Sequence, residues 1–428
     1  MEQQTNNTHS HTHSGHISRR RRKLKLHRNL KIAAGCAAAV LLVSAAFLTV
    51  RAYTQPIDIT LKLNKAEITQ GEELPTLKAT AVYNGKNPDK MLDKKRKLTV
   101  KDFINELNSG KYYTFSCNAD PAVDNTYPVK IVLNEDFKKQ LKEKWASRLK
   151  LDIQDGDLIV KNKLGAWDGR KFKLNSGAYM AGDFLTSRGN TYYFDENGDM
   201  VTGQRQIGLR LCTFDKDGKL TAKSDAAVQP DRPMIALTFD DGPGERTQEL
   251  LGVLERYNAH ATFFMQGMNV PKYPDAIKKM LETGCELGNH SYNHPDLTKL
   301  KPEKIKKQIG DTNAAIQNIC GQPADILRPP YGAINDKVRA SAGMPMILWS
   351  VDTLDWKTKD TQATIESIRA SAGDGAVILL HDIHSFSVDA ALAVIPELTR
   401  QGYQLVTISE MAAAKGVSLE NGKTYGSF

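Results

Sequence analysis

The pattern of hydrophobic and polar positions changes along the chain and divides it into segments. Between residues 51 and 165 the two kinds alternate, as in Ile57–Leu63 and Tyr127–Leu133, which is typical of half-buried β-strands. From about Pro230 short apolar runs alternate with helical stretches such as Pro302–Ile319. This order predicts a β-rich segment over residues 51–165 and an α/β domain with a parallel sheet or barrel over residues 229–428.

One apolar run, Met234–Phe239, has the length of a buried strand and ends at two adjacent carboxylates, Asp240 and Asp241. Neighbouring side chains of a strand point to opposite faces, but the following Gly242-Pro243 pair predicts a sharp turn that brings both acids to one rim. Two carboxylates so close repel each other unless a cation or a shared proton relieves them. A solvated loop with two incidental aspartates is the alternative.

A short repeat lies between these segments, over about residues 166–222 of a region of repeats and linker that spans residues 166–228. Glycines recur in it every 20 or 21 residues: Gly177, Gly198 and Gly218. Tyr192–Gly198 is echoed by Thr213–Gly218, which predicts hairpins that stack to bury their aromatic rings. The units resemble cell-wall-binding (choline- or glucan-binding) repeats, although Asp183 and Gln204 stand where that family usually has Trp. A β spacer is the alternative, and the segment over residues 51–165 resembles a bacterial immunoglobulin-like spacer in pattern only.

The start of the chain combines a basic tail with an apolar segment. Residues 1–31 contain eight Lys or Arg and one acid, Glu2, so they hold +7 of the formal net charge of +9 and leave +2 for the rest. The charge balance therefore argues against a nucleic-acid-binding face on the body of the protein. The next nineteen residues, 32–50, carry no charge and are long enough to cross a bilayer once.

Basic residues before this apolar segment favour a cytoplasmic N-terminus, so residues 32–50 are predicted to anchor the protein in the cell membrane with the remainder outside the cytoplasm. The alternative is a cleaved signal peptide, since Val50-Arg51-Ala52 is faintly like a cleavage site. The apolar region of a signal peptide is usually about 7–15 residues long, which favours the anchor. Both interpretations place the working part of the chain outside the cytoplasm.

The cysteines are widely spaced and include no Cys-x-x-Cys pair, so a thiolate metal site is not expected. Four of them lie beyond the apolar segment: Cys117, Cys212, Cys285 and Cys320. An extracytoplasmic location permits disulfides, and Cys285 with Cys320 is the preferred pair because both lie in the last domain. Buried free thiols are the alternative.

Histidine is concentrated in the last domain, which holds five of the ten: His260, His290, His294, His381 and His384. His290 and His294 are four residues apart and would share one face of a helical turn. With Asp241 they would make two imidazoles and one carboxylate, the open ligand set of a catalytic zinc site. A His-x-x-x-His pair is common by chance, so this prediction depends on Asp241 at the strand end.

Three further clusters follow in the same domain: Arg328-Pro329-Pro330-Tyr331-Gly332, Asp352-Thr353-Leu354-Asp355-Trp356 and Leu379-Leu380-His381-Asp382. With the paired acids and the histidine pair they complete, in order, the five signature motifs of the polysaccharide deacetylase family, carbohydrate esterase family four. Residues 233–412 therefore resemble the NodB-homology domain of that family. The resemblance implies a distorted (β/α) barrel as the catalytic domain.

The resemblance also implies roles for the motif residues. Asp241, His290 and His294 would bind one divalent metal ion, with Zn²⁺ favoured and Co²⁺ or another divalent ion as the alternative. Asp240 corresponds to the general base of the family, and Arg328 to the residue that pairs with this base and orients it.

Five other motif residues would complete the site. His381 corresponds to the general acid that protonates the departing amine, and Asp355 would orient it and raise its pKa. The backbone N–H of Tyr331 would stabilise the oxyanion. Trp356 and Leu379 would enclose the acetyl methyl group.

Together these observations predict a membrane-anchored hydrolase that removes the N-acetyl group from N-acetylglucosamine residues of peptidoglycan, giving glucosamine and acetate. The cationic amine left on the cell wall would repel cationic lysozyme-type enzymes. Chitooligosaccharide, xylan, an exported poly-N-acetylglucosamine and N-acetylmuramic acid are alternative substrates. An inactive wall-binding protein is the alternative from another class.

Overall fold

The structure, a computed structural model, describes residues 28–29, 31, 34, 36–44 and 56–428. Residues 36–44 are helical. In the part of the chain that the structure describes, no helix is both long and apolar enough to cross a membrane. The predicted anchor, residues 32–50, lies partly outside the described residues and stays a prediction.

The described chain forms two compact units, the first of which extends to Ala122 and continues over Thr126–Val160. Its strands form sheets of two, three and four strands and are Ile57–Leu63, Ala66–Thr69, Ala79–Tyr83, Met91–Asp93, Leu98–Thr99, Tyr113–Ser116, Asn125–Leu133, Leu149–Gln154 and Gly156–Lys161. Its helices are Val100–Asn108 and Glu135–Gln140, and a π-helical turn follows at Leu141–Trp145.

The first unit is β-rich, as its pattern predicts, and the immunoglobulin-like interpretation stays a prediction. Its first strand, Ile57–Leu63, pairs antiparallel with Ala79–Tyr83 and in parallel with Leu149–Gln154. The helix Val100–Asn108 also buries Phe103 and Leu107 in the same core as the strands. These two residues are four positions apart, which is the spacing of one helical face, so an alternating strand pattern cannot describe this stretch.

The second unit comprises Lys161–Phe428 with Val123–Asn125, and it begins with the repeat region. The repeats form antiparallel hairpins, as the sequence predicts, from the strands Gly165–Asp168, Lys171–Leu174, Asp183–Ser187, Asn190–Phe194, Gly203–Ile207, Arg210–Phe214 and Leu220–Asp225. The recurring glycines Gly177, Gly198 and Gly218 adopt φ values of 91°, 74° and 80°. Glycine recurs at these turns because it enters this left-handed region without a steric penalty.

The hairpin of Gly203–Ile207 and Arg210–Phe214 packs directly against the α/β domain. Leu209 at its turn is buried in a core cluster with Met234 and Ala236. The Leu209 N–H donates to the carbonyl of Asn258 at 2.7 Å, and the Asn258 side-chain amide donates to the carbonyl of Ile207 at 3.0 Å. The repeat region therefore shares hydrogen bonds and hydrophobic core with the domain that follows it.

The α/β domain is built on nine strands that pair in parallel. In chain order they are β1 (Met234–Asp240), β2 (Thr262–Met265), β3 (Glu286–Asn289), β4 (Ile326–Leu327), β5 (Met346–Ile347), β6 (Val351–Asp352), β7 (Ala376–His381), β8 (Gln404–Leu405) and β9 (Thr424–Tyr425). Their order in the sheet is β6-β7-β1-β2-β3-β4-β5-β9, and β8 also pairs with β1. The α/β prediction is confirmed.

Helices surround this sheet, and in chain order they are α1 (Thr247–Tyr257), α2 (Pro274–Glu282), α3 (Pro302–Cys320), α4 (Asp336–Ala342), α5 (Asp355–Thr358), α6 (Thr361–Ser371), α7 (Ser385–Arg400) and α8 (Ile408–Ala414). Short 3₁₀ turns lie at Val270–Lys272, Leu297–Lys299 and Pro330–Gly332. All seven residues of β1 are buried, as expected for a central strand covered on both faces. The sheet curls into a half-barrel, and a bridge between Ala376 and Ser427 joins the C-terminal residues to β7.

Every cysteine that the structure describes is a free thiol, so the preferred Cys285–Cys320 pair is wrong. Cys285 is buried before β3, and burial raises the pKa of its thiol to about 11. Cys320, at the end of α3, instead donates to the carbonyl of Ile316 at 3.3 Å. The alternative of buried free thiols describes Cys212 and Cys285.

Candidate active site

The motif residues converge at one edge of the half-barrel. Asp240 ends β1 and His381 ends β7, while the segment from His290 follows β3 and Arg328 follows β4. Because β7, β1, β2, β3 and β4 are consecutive in the sheet, their carboxyl ends lie along one rim, the usual place for a site in this architecture. A cavity of about 390 Å³ opens there, lined by Asp240, Asp241, His290, His294, Tyr331, Trp349, Asp352, Trp356, Leu379, His381 and His384.

Three of the lining side chains form a cluster with the dimensions of a metal site. The ligand atoms of Asp241, His290 and His294 all lie within 4.8 Å of one another. The Nε2 atoms of His290 and His294 are each 3.6 Å from Asp241 Oδ1. Two atoms bound about 2.1 Å from a tetrahedral zinc ion lie about 3.4 Å apart, so this spacing fits a divalent ion.

The two histidines reach this cluster from a loop and not from a helical turn, which corrects the prediction for this pair. Residues 290–296 have no helical structure. Ser291 and His294 adopt φ values of 64° and 59°, and these left-handed residues fold the loop back on itself so that both rings face Asp241. The four-residue spacing correctly places both histidines in one cluster, but a left-handed loop and not a helical turn brings them together.

Hydrogen bonds behind the cluster orient its members. His290 Nδ1 lies 2.6 Å from the carbonyl oxygen of Arg328, which leaves Nε2 directed at the cluster. The Gln266 side-chain amide donates to Asp241 Oδ1 at 2.6 Å. Such outer hydrogen bonds fix the tautomer and direction of metal-binding groups.

The charges within the cluster also favour metal binding. Burial alone would raise the pKa of Asp241, but His290, the Gln266 hydrogen bond and His294 outweigh it and hold that pKa below its usual value. Burial, and then the charge of His290, lower the pKa of His294. Asp241 is therefore ionised and His294 neutral near pH 7, which are the protonation states that bind a metal ion.

Asp240 lies beside the cluster in a buried ion pair. Its Oδ1 accepts a hydrogen bond of 2.8 Å from Arg328 Nη1, and Arg328 is completely buried. The guanidinium also donates to the Thr238 hydroxyl at 2.7 Å and to the carbonyl of Leu348 at 2.9 Å, so its position is over-determined. Arg328 thus fixes one carboxylate oxygen, while Oδ2 lies 3.7 Å from His290 Nε2 on the cavity side.

His381 lines the same cavity, in register with Asp240 on the neighbouring strand, and belongs to a second buried pair. Its Nδ1 is 2.8 Å from Oδ1 of Asp355, a carboxylate that also accepts from the Ser387 hydroxyl at 2.6 Å and from the His381 N–H at 2.9 Å. Burial lowers the pKa of His381, but the hydrogen bond and charge of Asp355, with the charges of Asp240 and Asp241, outweigh it and raise the pKa to about 9. His381 is therefore a protonated acid near pH 7.

The remaining predicted residues form the walls. Leu379 is 3% exposed and Trp356 is 48% exposed, so the first is a fixed wall and the second a wall open to solvent. Tyr331 is 69% exposed and its ring lies edge-on to His294 at 4.5 Å. All ten predicted site residues thus lie in or directly behind one cavity, with Arg328 and Asp355 behind it.

Strained backbone is concentrated around the cavity. Nine non-glycine residues among those described have a left-handed φ. Five of them belong to the loops that carry the site: Asp241, Ser291, His294, Tyr331 and Leu354. Each such residue costs about 1–3 kcal/mol and persists only where surrounding contacts hold it.

Several residues of the site were not identified from the sequence. Gln266 follows the end of β2, and the rule that carboxyl ends of parallel strands build sites could have identified it. Asp382 is buried, and its Oδ2 accepts from the Thr247 hydroxyl, whereas its Oδ1 has no hydrogen-bond partner among the residues that the structure describes. Burial raises the pKa of Asp382 to about 7. Ser387, which supports Asp355, carried no local signal, because its role depends on a contact between residues 32 positions apart.

Comparison with known proteins identifies the family. A family model described as Polysaccharide deacetylase matches residues 227–346. The chain is similar to the peptidoglycan-N-acetylmuramic acid deacetylase PdaC of Bacillus subtilis, with 44% identity over 197 residues that cover 46% of this chain and 42% of that protein. It is also similar to the peptidoglycan-N-acetylglucosamine deacetylase PgdA of Listeria monocytogenes, with 42% identity over 192 residues that cover 45% of this chain and 41% of that protein.

The chain thus covers about two fifths of the length of these two relatives. A peptidoglycan-N-acetylglucosamine deacetylase of Bacillus cereus is 36% identical over 197 residues, which are 44% of this chain and 92% of that protein. Nearly the whole of that relative therefore aligns with this chain. The chain belongs to the polysaccharide deacetylase family, carbohydrate esterase family four.

Proposed function

We propose that this protein is a metal-dependent hydrolase that removes the N-acetyl group from N-acetylglucosamine residues of peptidoglycan and releases acetate. The observation that carries the proposal is the arrangement around one cavity. Three candidate metal-binding side chains and two buried ion pairs, Asp240–Arg328 and Asp355–His381, meet at this cavity. One pair places a base and the other an acid at the same cavity, which suits hydrolysis of an amide.

The divalent ion would be held by Asp241, His290 and His294, and zinc is the favoured ion. When bound, the ion would polarise the acetamide carbonyl and lower the pKa of water. Asp240 accepts the proton of the attacking water, because Arg328 engages Oδ1 and leaves Oδ2 on the cavity side.

His381 then donates its proton from Nε2 to the departing amine, since Asp355 engages Nδ1. The pKa of about 9 keeps this proton in place at neutral pH. The backbone N–H of Tyr331 stabilises the oxyanion, which is usually a large contribution to catalysis. Leu379 and Trp356 enclose the acetyl methyl group, since both line the cavity.

Peptidoglycan is proposed as the substrate on two grounds. The relatives above are named as deacetylases of N-acetylmuramic acid or N-acetylglucosamine in peptidoglycan. The hairpin repeats resemble wall-binding repeats, which would bring the cavity to the same polymer. N-acetylglucosamine is favoured and N-acetylmuramic acid is the second candidate. The free amine produced would make the wall more resistant to lysozyme.

The proposed location is the outer side of the cell membrane, with residues 32–50 as a single anchor and the N-terminus in the cytoplasm. The described helical residues support it, since Val40, Leu41, Leu42 and Val43 are each 67–71% exposed and would be covered by lipid. A reporter fused after Val50 should be active only outside the cytoplasm. Reporter activity on the cytoplasmic side would show that the orientation is the reverse of the one proposed. A mature N-terminus near Ala52 would show that residues 32–50 belong to a cleaved signal peptide and not to an anchor.

The enzymatic proposal is tested by incubating the zinc-loaded protein with purified peptidoglycan. Acetate release should appear, and mass spectrometry of the digested glycan should identify glucosamine. The matched control is His381→Gln, which keeps the three metal-binding residues and removes the acid. Detection of muramic acid in place of glucosamine in the digest would identify N-acetylmuramic acid as the substrate. Zinc-loaded protein that binds the wall without releasing acetate would favour an inactive wall-binding protein.

A further inference from the structure

The loop between the two histidines of the metal site, residues 290–294, has an unusual pattern of hydrogen bonds. Its four successive N–H groups from Ser291 to His294 all donate to side-chain oxygens. Ser291 N–H donates to Asn289 Oδ1 at 2.9 Å, and His294 N–H donates to Ser291 Oγ at 3.2 Å. Asn289 ends β3, and its amide donates to the α3 carbonyl of Ile309 at 2.9 Å, so this acceptor fixes only the start of the loop. Ser291 belongs to the loop itself, so its hydroxyl does not fix the residues that follow relative to the rest of the domain.

The two N–H groups in the middle share one distant acceptor, Gln308 on α3. Its Oε1 accepts from the Tyr292 N–H at 2.8 Å and from the Asn293 N–H at 3.2 Å. Its amide nitrogen donates to Asn293 Oδ1 at 2.7 Å. One half-buried side chain therefore makes three hydrogen bonds to the two residues between the loop's serine and its second histidine.

The opposite side of the loop is held by a different segment. The carbonyls of Ser291 and Tyr292 accept from the N–H groups of Gly267 and Met268, each at 3.0 Å. Gln308 thus completes a clamp in which α3 holds the N–H groups and the segment after β2 holds the carbonyls. A clamp is needed because Ser291 and His294 have left-handed φ values, which cost free energy unless contacts maintain them.

We propose that Gln308 is a positioning residue for the metal site, and that its carboxamide holds the loop so that His294 faces Asp241 and His290. Metal–ligand distances tolerate errors of only about 0.2 Å, so a small relaxation of this loop would weaken binding. The inference rests on the proposed metal site, but it concerns a residue outside the five motifs and acts through the backbone and not through contact with the ion.

The test compares zinc affinity in the full-length protein, measured by competition with a chromogenic chelator. Gln308→Leu keeps the approximate size of the side chain but removes all three hydrogen bonds, and affinity should fall about 10–100-fold, as for other outer-shell changes. Gln308→Glu keeps the acceptor oxygen for both N–H groups and should recover most of this loss. The visible spectrum of the Co²⁺-loaded leucine variant should also change, because the geometry at His294 relaxes.

Gln317→Leu is the matched control, since Gln317 is an exposed glutamine on the same helix. It should leave zinc affinity unchanged, and thermal unfolding of the metal-free proteins should show that both leucine variants remain folded. Unchanged affinity and spectrum in Gln308→Leu, or equal losses in the two leucine variants, would overturn the inference. If the unsubstituted protein binds no zinc, the proposed function fails first; if it binds zinc tightly and Gln308→Leu does too, only the role of Gln308 is lost.

Discussion

His381 Nδ1 lies 2.8 Å from Oδ1 of Asp355, a carboxylate with no exposure to solvent. This pair joins the end of β7 to the start of α5, two elements that meet only in the folded domain. The contact with Asp355 keeps His381, the proposed acid, protonated at neutral pH. Activity and stability should therefore both depend on pH in the range where His381 loses its proton.

The first prediction concerns the alkaline limit of activity. The folded pKa of His381 is raised from 6.5 to about 9, so the proton that it donates is present at neutral pH and lost as the pH rises through about 9. Deacetylation should decline over that range. In Asp355→Asn the negative charge is absent, so the decline in activity should begin at a lower pH. Ser387→Ala removes only one hydrogen bond to Asp355, so the pH at which activity declines should change little. An identical alkaline limit in the wild type and Asp355→Asn would contradict the assignment.

The same pair should affect stability with a definite sign. Because the folded pKa of His381 exceeds the unfolded value, its stabilising contribution is complete below about pH 6.5 and disappears as the pH rises through about 9. Urea unfolding of the metal-free protein at pH 6 and pH 10 should therefore show a loss at the higher pH that is smaller in Asp355→Asn. An equal loss in both proteins would assign the pH dependence to other groups.

The second prediction separates the adjacent acids of β1. Asp241→Asn should lower both zinc content and turnover, because Asp241 Oδ1 is the point to which both histidine Nε2 atoms converge. Asp240→Asn should retain zinc but lose turnover by about 10²–10⁴-fold, the usual contribution of general-base catalysis. Metal analysis beside turnover distinguishes the two. If Asp240→Asn loses its metal while Asp241→Asn keeps it, the roles of base and metal ligand must be exchanged between the two residues.

The third prediction concerns the boundary of the catalytic unit. Leu209 of the repeats is 2% exposed in a core shared with β1, and the Asn258 amide depends on a carbonyl of the same hairpin. A fragment of residues 229–428 should therefore be less stable than one of residues 161–428. Removing Leu209 alone, as Leu209→Ala in the longer fragment, should cost about 2–5 kcal/mol of unfolding free energy.

Chemical unfolding measures both comparisons. Leu164, which is 42% exposed and lies just before the repeats, provides the control, and Leu164→Ala should change the unfolding free energy by less than about 0.5 kcal/mol. Equal stability of the two fragments would show that the repeats are an independent attachment, and the α/β domain would then fold alone from about residue 229.

The fourth prediction concerns the choice of acyl group. Leu379 is a buried wall of the cavity, so Leu379→Ala should enlarge the space for the acyl methyl and raise turnover of N-propionyl relative to N-acetyl substrate. One methylene in an apolar pocket changes selectivity by about 10–200-fold, which sets the upper range. The ratio of the two substrates is measured on one preparation and is therefore independent of the folded fraction. An unchanged ratio would place the acyl group elsewhere in the cavity.

Local pattern was sufficient for much of this protein. The apolar run Met234–Phe239 predicted a buried strand, and β1 is observed over Met234–Asp240. The spacing of glycines and aromatic residues predicted the hairpins of the repeats. The order of the five motifs predicted the family. These features are encoded by neighbours within one strand, turn or repeat, so the period of hydrophobic positions and the special conformations of glycine reveal them.

The remaining features of the site depend on contacts between residues far apart in the chain. Arg328 donates a hydrogen bond to Asp240, which is 88 positions away in the chain, and Gln308 donates one to Asn293, which is 15 positions away. No local sequence pattern specifies such contacts. The left-handed loop of His290 and His294 is stable only because distant groups compensate its backbone, whereas the spacing alone favoured a helical turn. The free thiols and the core shared by repeats and α/β domain likewise follow from packing. The order of residues specifies which chemical groups are present, and only the packed sheet brings particular groups into contact.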